Sequence, residues 1–277
     1  MVRLQELLTR SAEPETIESE IYGTLIDAVK TKLIATNFVA LRIGPKSIPG
    51  DSISIDLWDK DVIKVHEVGE AAEVPIEVGK VSSFTLKPKK YGIRPLITKE
   101  MQEDGKFDLM DYNLRDAGYQ MAKKLDSLLM EQIEAGATAA GNTVSGGTAI
   151  TVANINTAIY NLEKNDYTPT DFIVSPEVAM DIRNIDTFVE ADKAGITNPS
   201  RGLIGKIFGM TVWQSNQVTS SYAYVIDRDH ALVMVEKRPI TIERYNDVTR
   251  DLSGVVVTAR WAVRYLRDKA CCVITTS

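Results

Sequence analysis

The stretch DVIKVHEVGEAAEVPIEVGKVSSFTLKPKKYGI, Asp61 to Ile93, alternates like strand but holds too few large apolar residues to build a core. It belongs to a longer unit. Ile53, Ile55 and Leu57 share one face of DSISIDLW, Val74, Ile76 and Val78 share one face of EVPIEV, and Phe84 and Leu86 continue the pattern. The segment between, HEVGEAAEV, is acidic, small and turn-prone. The reading is a long two-stranded excursion, out and back. A lone hairpin is marginal in water, and ordering each residue costs roughly 1–2 kcal/mol of backbone entropy. A thin apolar stripe cannot hold such a ribbon, so it is either disordered in the monomer or laid on another subunit.

The rest of the chain supplies bodies for such an attachment. The first forty residues read as an arm, with Ile17, Ile21, Leu25, Val29 and Leu33 at helical spacing. Pro45, Pro49, Gly44 and Gly50 punctuate the loop that follows. FDLMDYNLRDAGYQMAKKLDSLLMEQIEAG carries Leu114, Ala117, Met121, Leu125, Leu128 and Ile133 as an amphipathic stripe. Asp108 is its expected N-cap, with Asp111 in the first turn, and Gly136 its expected end. AGATAAGNTVSGGTAI reads as a linker. Beyond it helix and strand alternate: NINTAIYNLEKN and PEVAMDIRNI as helices, with Pro176 in a first turn, and DFIVS as a buried strand. GKIFGMTVWQS, AYVIDRDHALVMVEKRPITIERYND, GVVVTARWAVRYL and KACCVITT complete a sheet. Connections this short disfavour a doubly wound parallel fold, so the expected class is α+β.

Composition excludes several functions. A net charge of −6 argues against a surface that coats nucleic acid, and 44% hydrophobic with 25% charged residues is ordinary for a globular chain. Cys271 and Cys272 are adjacent and imply no disulfide framework; they read as small buried side chains and suit a reducing compartment. The N-terminus lacks the apolar core of a signal peptide, and no run approaches a membrane span. His66 and His230 are too few and too far apart for a zinc site. SRGLIGKIF has Ser200 where a phosphate loop needs glycine, and Ile207 where it needs a hydroxyl. VSGGT lacks the flanks of a nucleophile elbow, and IDRDH, with Asp227 and Asp229, reads as a turn. No catalytic residue, cofactor or metal is expected. The basic residues Lys87, Lys89, Lys90, Arg260, Arg264 and Arg267 are either solvated faces or complements to Glu67, Glu70, Glu73 and Glu77 on another subunit.

The order of these parts resembles the major capsid proteins of tailed phages and related archaeal viruses, the Hong Kong 97-type fold. VHEVGEAAEVP followed by FTLKPKKYGIRPLITKEM is similar to the family's extended loop, and FDLMDYNLRDAGYQMAKKLDSLLM to its spine helix. DFIVSPEVAMDIRN with GLIGKIFGMTVWQSNQV resembles the axial domain. ARWAVRYLRDKACCVI resembles the closing segment, with the family's spaced arginines at Arg260 and Arg267. The resemblance implies an N-terminal arm and lead-in strand over 1–46 and an extended β-hairpin loop over 47–95. It implies a peripheral domain over 96–144 and 231–265, with its spine helix at about 108–135, and an axial domain over 145–230 and 266–277. It further implies a non-enzymatic subunit of a virion, assembled in the host cytoplasm as hexamers and pentamers into an icosahedral shell around double-stranded DNA held without sequence specificity. Lys64, Glu67, Glu70, Glu73, Lys87, Lys89, Arg260 and Arg267 are the expected intersubunit contacts. Implied partners are further copies of itself, a separate scaffolding protein, a portal and a decoration protein, with no membrane.

Two departures qualify the resemblance. Some relatives carry a scaffolding segment before the arm; here Met1 stands at the arm, so scaffolding is expected from a separate protein or the chain is a trimmed form. Some relatives join a loop lysine to an asparagine near the last strands. Lys64 is the nearest loop lysine, and Asp251 stands at the asparagine's place, so non-covalent contacts alone are expected. The alternative reading is an encapsulin-type nanocompartment shell enclosing cargo enzymes, which has the same fold. A soluble α/β enzyme is the remaining class, and a monomer with small-molecule turnover would mark it.

Overall fold

A computed structural model describes residues 34–47, 50–60, 62–70, 73–104, 109–184 and 203–276. The arm stripe Ile17–Leu33 and the Asp108 cap lie outside them, as does the side chain of Asp111. The chain runs from a 3-10 turn (Ala35–Phe38) through β1 (Val39–Ile43), β2 (Ile53–Trp58), β3 (Val81–Leu86), β4 (Lys89–Ile93) and β5 (Leu96–Thr98). Next come α1 (Lys99–Asp104), α2 (Leu109–Ala140), β6 (Thr143–Gly147), α3 (Val152–Glu163), β7 (Asp171–Val174) and α4 (Pro176–Arg183). Then follow β8 (Leu203–Ile207), β9 (Met210–Gln214), β10 (Tyr222–Ile226), β11 (Leu232–Asp247), β12 (Leu252–Tyr265) and β13 (Cys271–Thr276).

The architecture is α+β with two principal sheets. The first has order β1-β11-β12-β4, with β5 also on β12; the second has order β6-β13-β10-β7-β9-β8. Antiparallel β11 and β12, of 16 and 14 residues, form the long axis of the first sheet. Sixteen residues of strand reach about 50 Å. Their register shifts on either side of Arg238, close to Pro239, which has no N–H for the ladder. The stripe on α2 is buried at Leu114, Ala117, Met121, Leu125 and Ile133, but Leu129 rather than Leu128 sits fully inside. It packs on Leu232, Met234, Val255 and Val257 of the first sheet.

The second sheet is covered on both faces. Ile173, Tyr224, Ile226, Cys271 and Val273 join the core with α2. The alternate residues Phe172, Val174, Val225, Cys272 and Ile274 join a core with Ile155 and Leu162 of α3 and Val178 of α4. This explains why DFIV and CCVI read as continuous apolar runs: a strand with two buried faces has no polar alternation. It also sends the two neighbouring cysteines to opposite cores. Burial pushes the Cys272 thiol up to about 11 and the Cys271 thiol higher still, so both are inert packing groups. Thr151 and Ser175 cap α3 and α4 by accepting from the N–H of Asn154 and Val178, each at 3.4 Å.

Four expectations are corrected. Gly136 does not end α2; the helix runs to Ala140, and the left-handed residue is Gly141 at φ 70°. Gly136 is instead a packing position, because a Cβ there would lie 3.0 Å from Cβ of Tyr265. The small-residue stretch is not a linker: alanine extends the helix, and Thr143–Gly147 pairs in parallel with β13. Between Ile53 and Leu86 the described residues of the ribbon are strand only at its root, where six pairs run from Ile53↔Leu86 to Trp58↔Val81. EVPIEV forms no strand, since nothing pairs with it and Pro75 cannot donate. Also, GVVVTARWAVRYL closes the first sheet and KACCVITT the second, so the two segments do not share one sheet.

Candidate assembly surface

The ribbon divides into a fastened root and a bare outer part. At the root, Ile55 and Leu86 are buried against Val233 and Val235 of β11. Lys87 Nζ lies 2.9 Å and Arg260 Nη2 3.2 Å from the carboxylate of Asp51. The hydrogen bond and charge of Lys87, with a smaller share from Arg260, hold the Asp51 carboxyl below its ordinary value. Arg260 also donates to the Pro88 carbonyl at 3.3 Å, Arg267 to the Trp58 carbonyl and Lys237 to the Gly50 carbonyl. Arg264 stacks 4.6 Å from the Phe84 ring. Lys60 sits 3.8 Å from the Tyr167 ring, fastening the outgoing limb to the second body. Lys87, Arg260 and Arg267, expected to contact another subunit, thus have partners within this chain, at the root of the ribbon.

The outer part is different. Ile63, Val65, Val74, Ile76 and Val78 are all exposed, Ile76 by 88%. Burying one such side chain gains about 1.5–3 kcal/mol, so five represent on the order of 10 kcal/mol of unused stabilisation. That is comparable to the whole stability of a typical domain. Between these residues Lys64, Glu67, Glu70 and Glu73 are exposed, and His66 Nε2 meets Glu77 Oε1 at 2.5 Å. Lys89 is exposed on β4, opposite Trp261 at the sheet edge. An anchored root carrying an apolar, acidic limb is suited to lie on a surface outside the described body.

Two buried carboxylates tie separate elements together and were not singled out from the sequence. Asp171 accepts from Trp213 Nε1 at 2.8 Å and from Arg228 Nε at 2.9 Å, joining β7, β9 and the loop after β10. Asp126 of α2 accepts from the backbone N–H of Ile34 and Ala35. The signal for Asp126 was available: it stands four residues from Ala122 and from Met130, both buried, on the apolar face of its helix. Asp251, the residue at the asparagine's expected place, has φ 53° and meets Lys99 Nζ at 2.5 Å. The hydrogen bond to Asp251 raises the Lys99 ammonium above its ordinary value.

A model of the phage capsid protein family matches residues 82–274. The chain belongs to that family. No curated protein sequence matches this capsid protein. Solved structures do. A chain of Microbacterium phage Oxtober96 aligns with TM-score 0.68 at 16% identity, covering 89% of this chain and 91% of that one. The capsid of cyanophage P-SCSP1u aligns with TM-score 0.69 at 12% identity, covering 88% of each chain. A virus-like particle from Pyrococcus furiosus aligns with TM-score 0.62 at 12% identity, covering 93% of this chain and 99% of that one. At such identities the shared property is the fold, the Hong Kong 97-type capsid fold, and it spans nearly the whole chain. A capsid protein is a structural component of the virion shell, and the exposed ribbon is read in that setting.

Proposed function

We propose that this capsid protein assembles as hexamers and pentamers into a closed icosahedral shell around the double-stranded DNA of a tailed virus. The observation that carries the reading is the outer ribbon, braced at its root by Arg260, Arg267 and Lys87 and left bare at Ile63, Val65, Val74, Ile76 and Val78. The ribbon lies over a neighbouring subunit, where these side chains find cover. The first sheet with α2 serves as the peripheral domain, and the second sheet with α3 and α4 as the axial domain around the hexamer and pentamer axes. With a net charge of −6, contact with DNA is non-specific and confined to local basic patches. Scaffolding, portal and decoration proteins are the further partners, and assembly takes place in the host cytoplasm.

Removal of Glu67 to Val78 tests this. The deletion leaves both cores and the ribbon root untouched, so the variant is expected to melt as the parent subunit does but to form no stable shells by sedimentation. Normal shells from the deletion variant would refute the ribbon's role. The contents of parent particles from infected cells decide the cargo: DNA supports the viral reading, and an enclosed enzyme supports a nanocompartment.

A further inference from the structure

Strand β4 is an edge of the first sheet. It pairs with β12 on one side, from Lys89↔Trp261 to Ile93↔Val257, and among the described residues no strand lies on its other side. An open edge is a row of N–H and C=O groups able to take a further strand. Alternation sorts the side chains of β4 into two faces. Tyr91 and Ile93 pack on the core shared with α2, where Tyr91 stacks on Trp261 with ring centroids 5.8 Å apart. Lys90 and Gly92 lie on the opposite face, across from Arg260 and Thr258. Arg94, one residue past the strand, continues that face and sits 4.9 Å from the Tyr245 ring. Lys90, Gly92 and Arg94 are exposed. Asp51 is already held by Lys87 and Arg260, and among the described residues neither Lys90 nor Arg94 meets a carboxylate.

The outer ribbon carries a segment that matches this edge. Residues 73–78 are all exposed. When extended, they put Val74, Ile76 and Val78 on one face and Glu73, Pro75 and Glu77 on the other. Glu73 and Glu77 are four residues apart, and so are Lys90 and Arg94, a spacing of about 13 Å along either strand. Setting Pro75 opposite Gly92 brings both acids beside both bases in either strand direction. The same register brings Val74 and Ile76 beside Tyr91 and Ile93, so the apolar faces meet as well. A slip of one residue would turn the apolar side chains to the charged face. Pro75 has no N–H for a ladder, which an edge strand tolerates, and an added strand is the new edge. His66 meets only one of the two Glu77 oxygens.

We propose that residues 73–78 of a second copy of this chain add to the open edge of β4 as a further strand, with Glu73 and Glu77 against Lys90 and Arg94. The inference rests on the reading that the ribbon lies over a neighbour, and it names the seat there. A second copy is the occupant because one chain holds both halves and does not join them: the acidic segment and the basic edge are exposed in the same subunit. Main-chain hydrogen bonds give an added strand its affinity, and alternate side chains give it its specificity. Charge and apolar pattern agree on a single register here.

Hydrogen exchange in assembled shells, compared with free subunits of the full chain, tests the seat. Amides of residues 73–78 and of 89–93 are expected to slow together on assembly, on the order of a hundredfold, while the buried strand Phe172–Val174 stays unchanged as reference. Slowing of 73–78 alone would overturn the seat on β4 and leave the ribbon on a neighbour; slowing of neither would overturn both. Charge exchange tests the register. Lys90→Glu is expected to slow shell formation at low salt about fivefold without lowering the melting of the subunit, and a second substitution, Glu73→Lys or Glu77→Lys, to recover the rate. Recovery by Glu77→Lys marks an antiparallel addition, and recovery by Glu73→Lys a parallel one. An unchanged rate in Lys90→Glu, or recovery by neither substitution, would overturn the pairing.

Discussion

Gly254 of β12 has no room for a methyl group: a Cβ would lie 2.4 Å from the Pro95 carbonyl oxygen and 3.1 Å from Cα of Leu96. Both obstacles are backbone, so relief requires β5 to move away from β12. Gly254→Ala is expected to lower subunit stability by about 1–3 kcal/mol, read from denaturant melting. Gly136 is a milder case. Its Cβ would press on the Tyr265 side chain at 3.0 Å, while alanine gains up to about 1 kcal/mol over glycine inside a helix. Gly136→Ala is therefore expected to change stability less than Gly254→Ala does. Residue chemistry was unevenly legible in the sequence. That the two cysteines are unbridged followed from their adjacency, and that they are buried followed from the apolar strand around them. The tasks of Arg260 and Arg267 did not, because the groups they hold, Asp51 and the Trp58 carbonyl, are 209 residues away in sequence. Spacing along the chain reports a row of charge and not what the row faces.

At the scale of elements, period and length carried most of the information. The α2 stripe, apart from Leu128, and the start of α4 at Pro176 are local properties, and they appear where the pattern puts them. Ends and partners are not local. Gly136 looks like a terminator until Tyr265 is brought against it, and Thr143–Gly147 is a strand because β13 lies alongside. The ribbon shows the same limit: its alternation continues through Val74, Ile76 and Val78, but strand needs a partner, and among the described residues of the hairpin the pairing stops with the six pairs at the root. Its exposed Glu70 and Glu73 lie apart from the ion pairs that fasten the root, so their charge is available to another surface. Reversing both to lysine is expected to slow assembly, followed by light scattering at low salt, while leaving the melting of the isolated subunit nearly unchanged. Equal assembly kinetics would count against electrostatic seating of the ribbon.

At the scale of the molecule, two cores share the second sheet, one on each face, and the ribbon departs from the far side of the first sheet at Val233 and Val235. The described body is thus packed through both cores, while the outer limb is exposed. Covalent completion is not expected. Asp251 is already paired with Lys99, and an ammonium held by a carboxylate is no nucleophile. Particles boiled in detergent should run as one band near 30.6 kDa; a ladder of linked oligomers would show that another lysine and acceptor meet between subunits. What remains is whether the bare limb is covered by copies of the same chain. Electron microscopy of the purified protein at high concentration answers this most directly. The expected result is closed shells built of hexamers and pentamers, with density for residues 63–78 lying on an adjacent subunit. Monodisperse single subunits that never form shells, with or without a scaffolding partner, would contradict it.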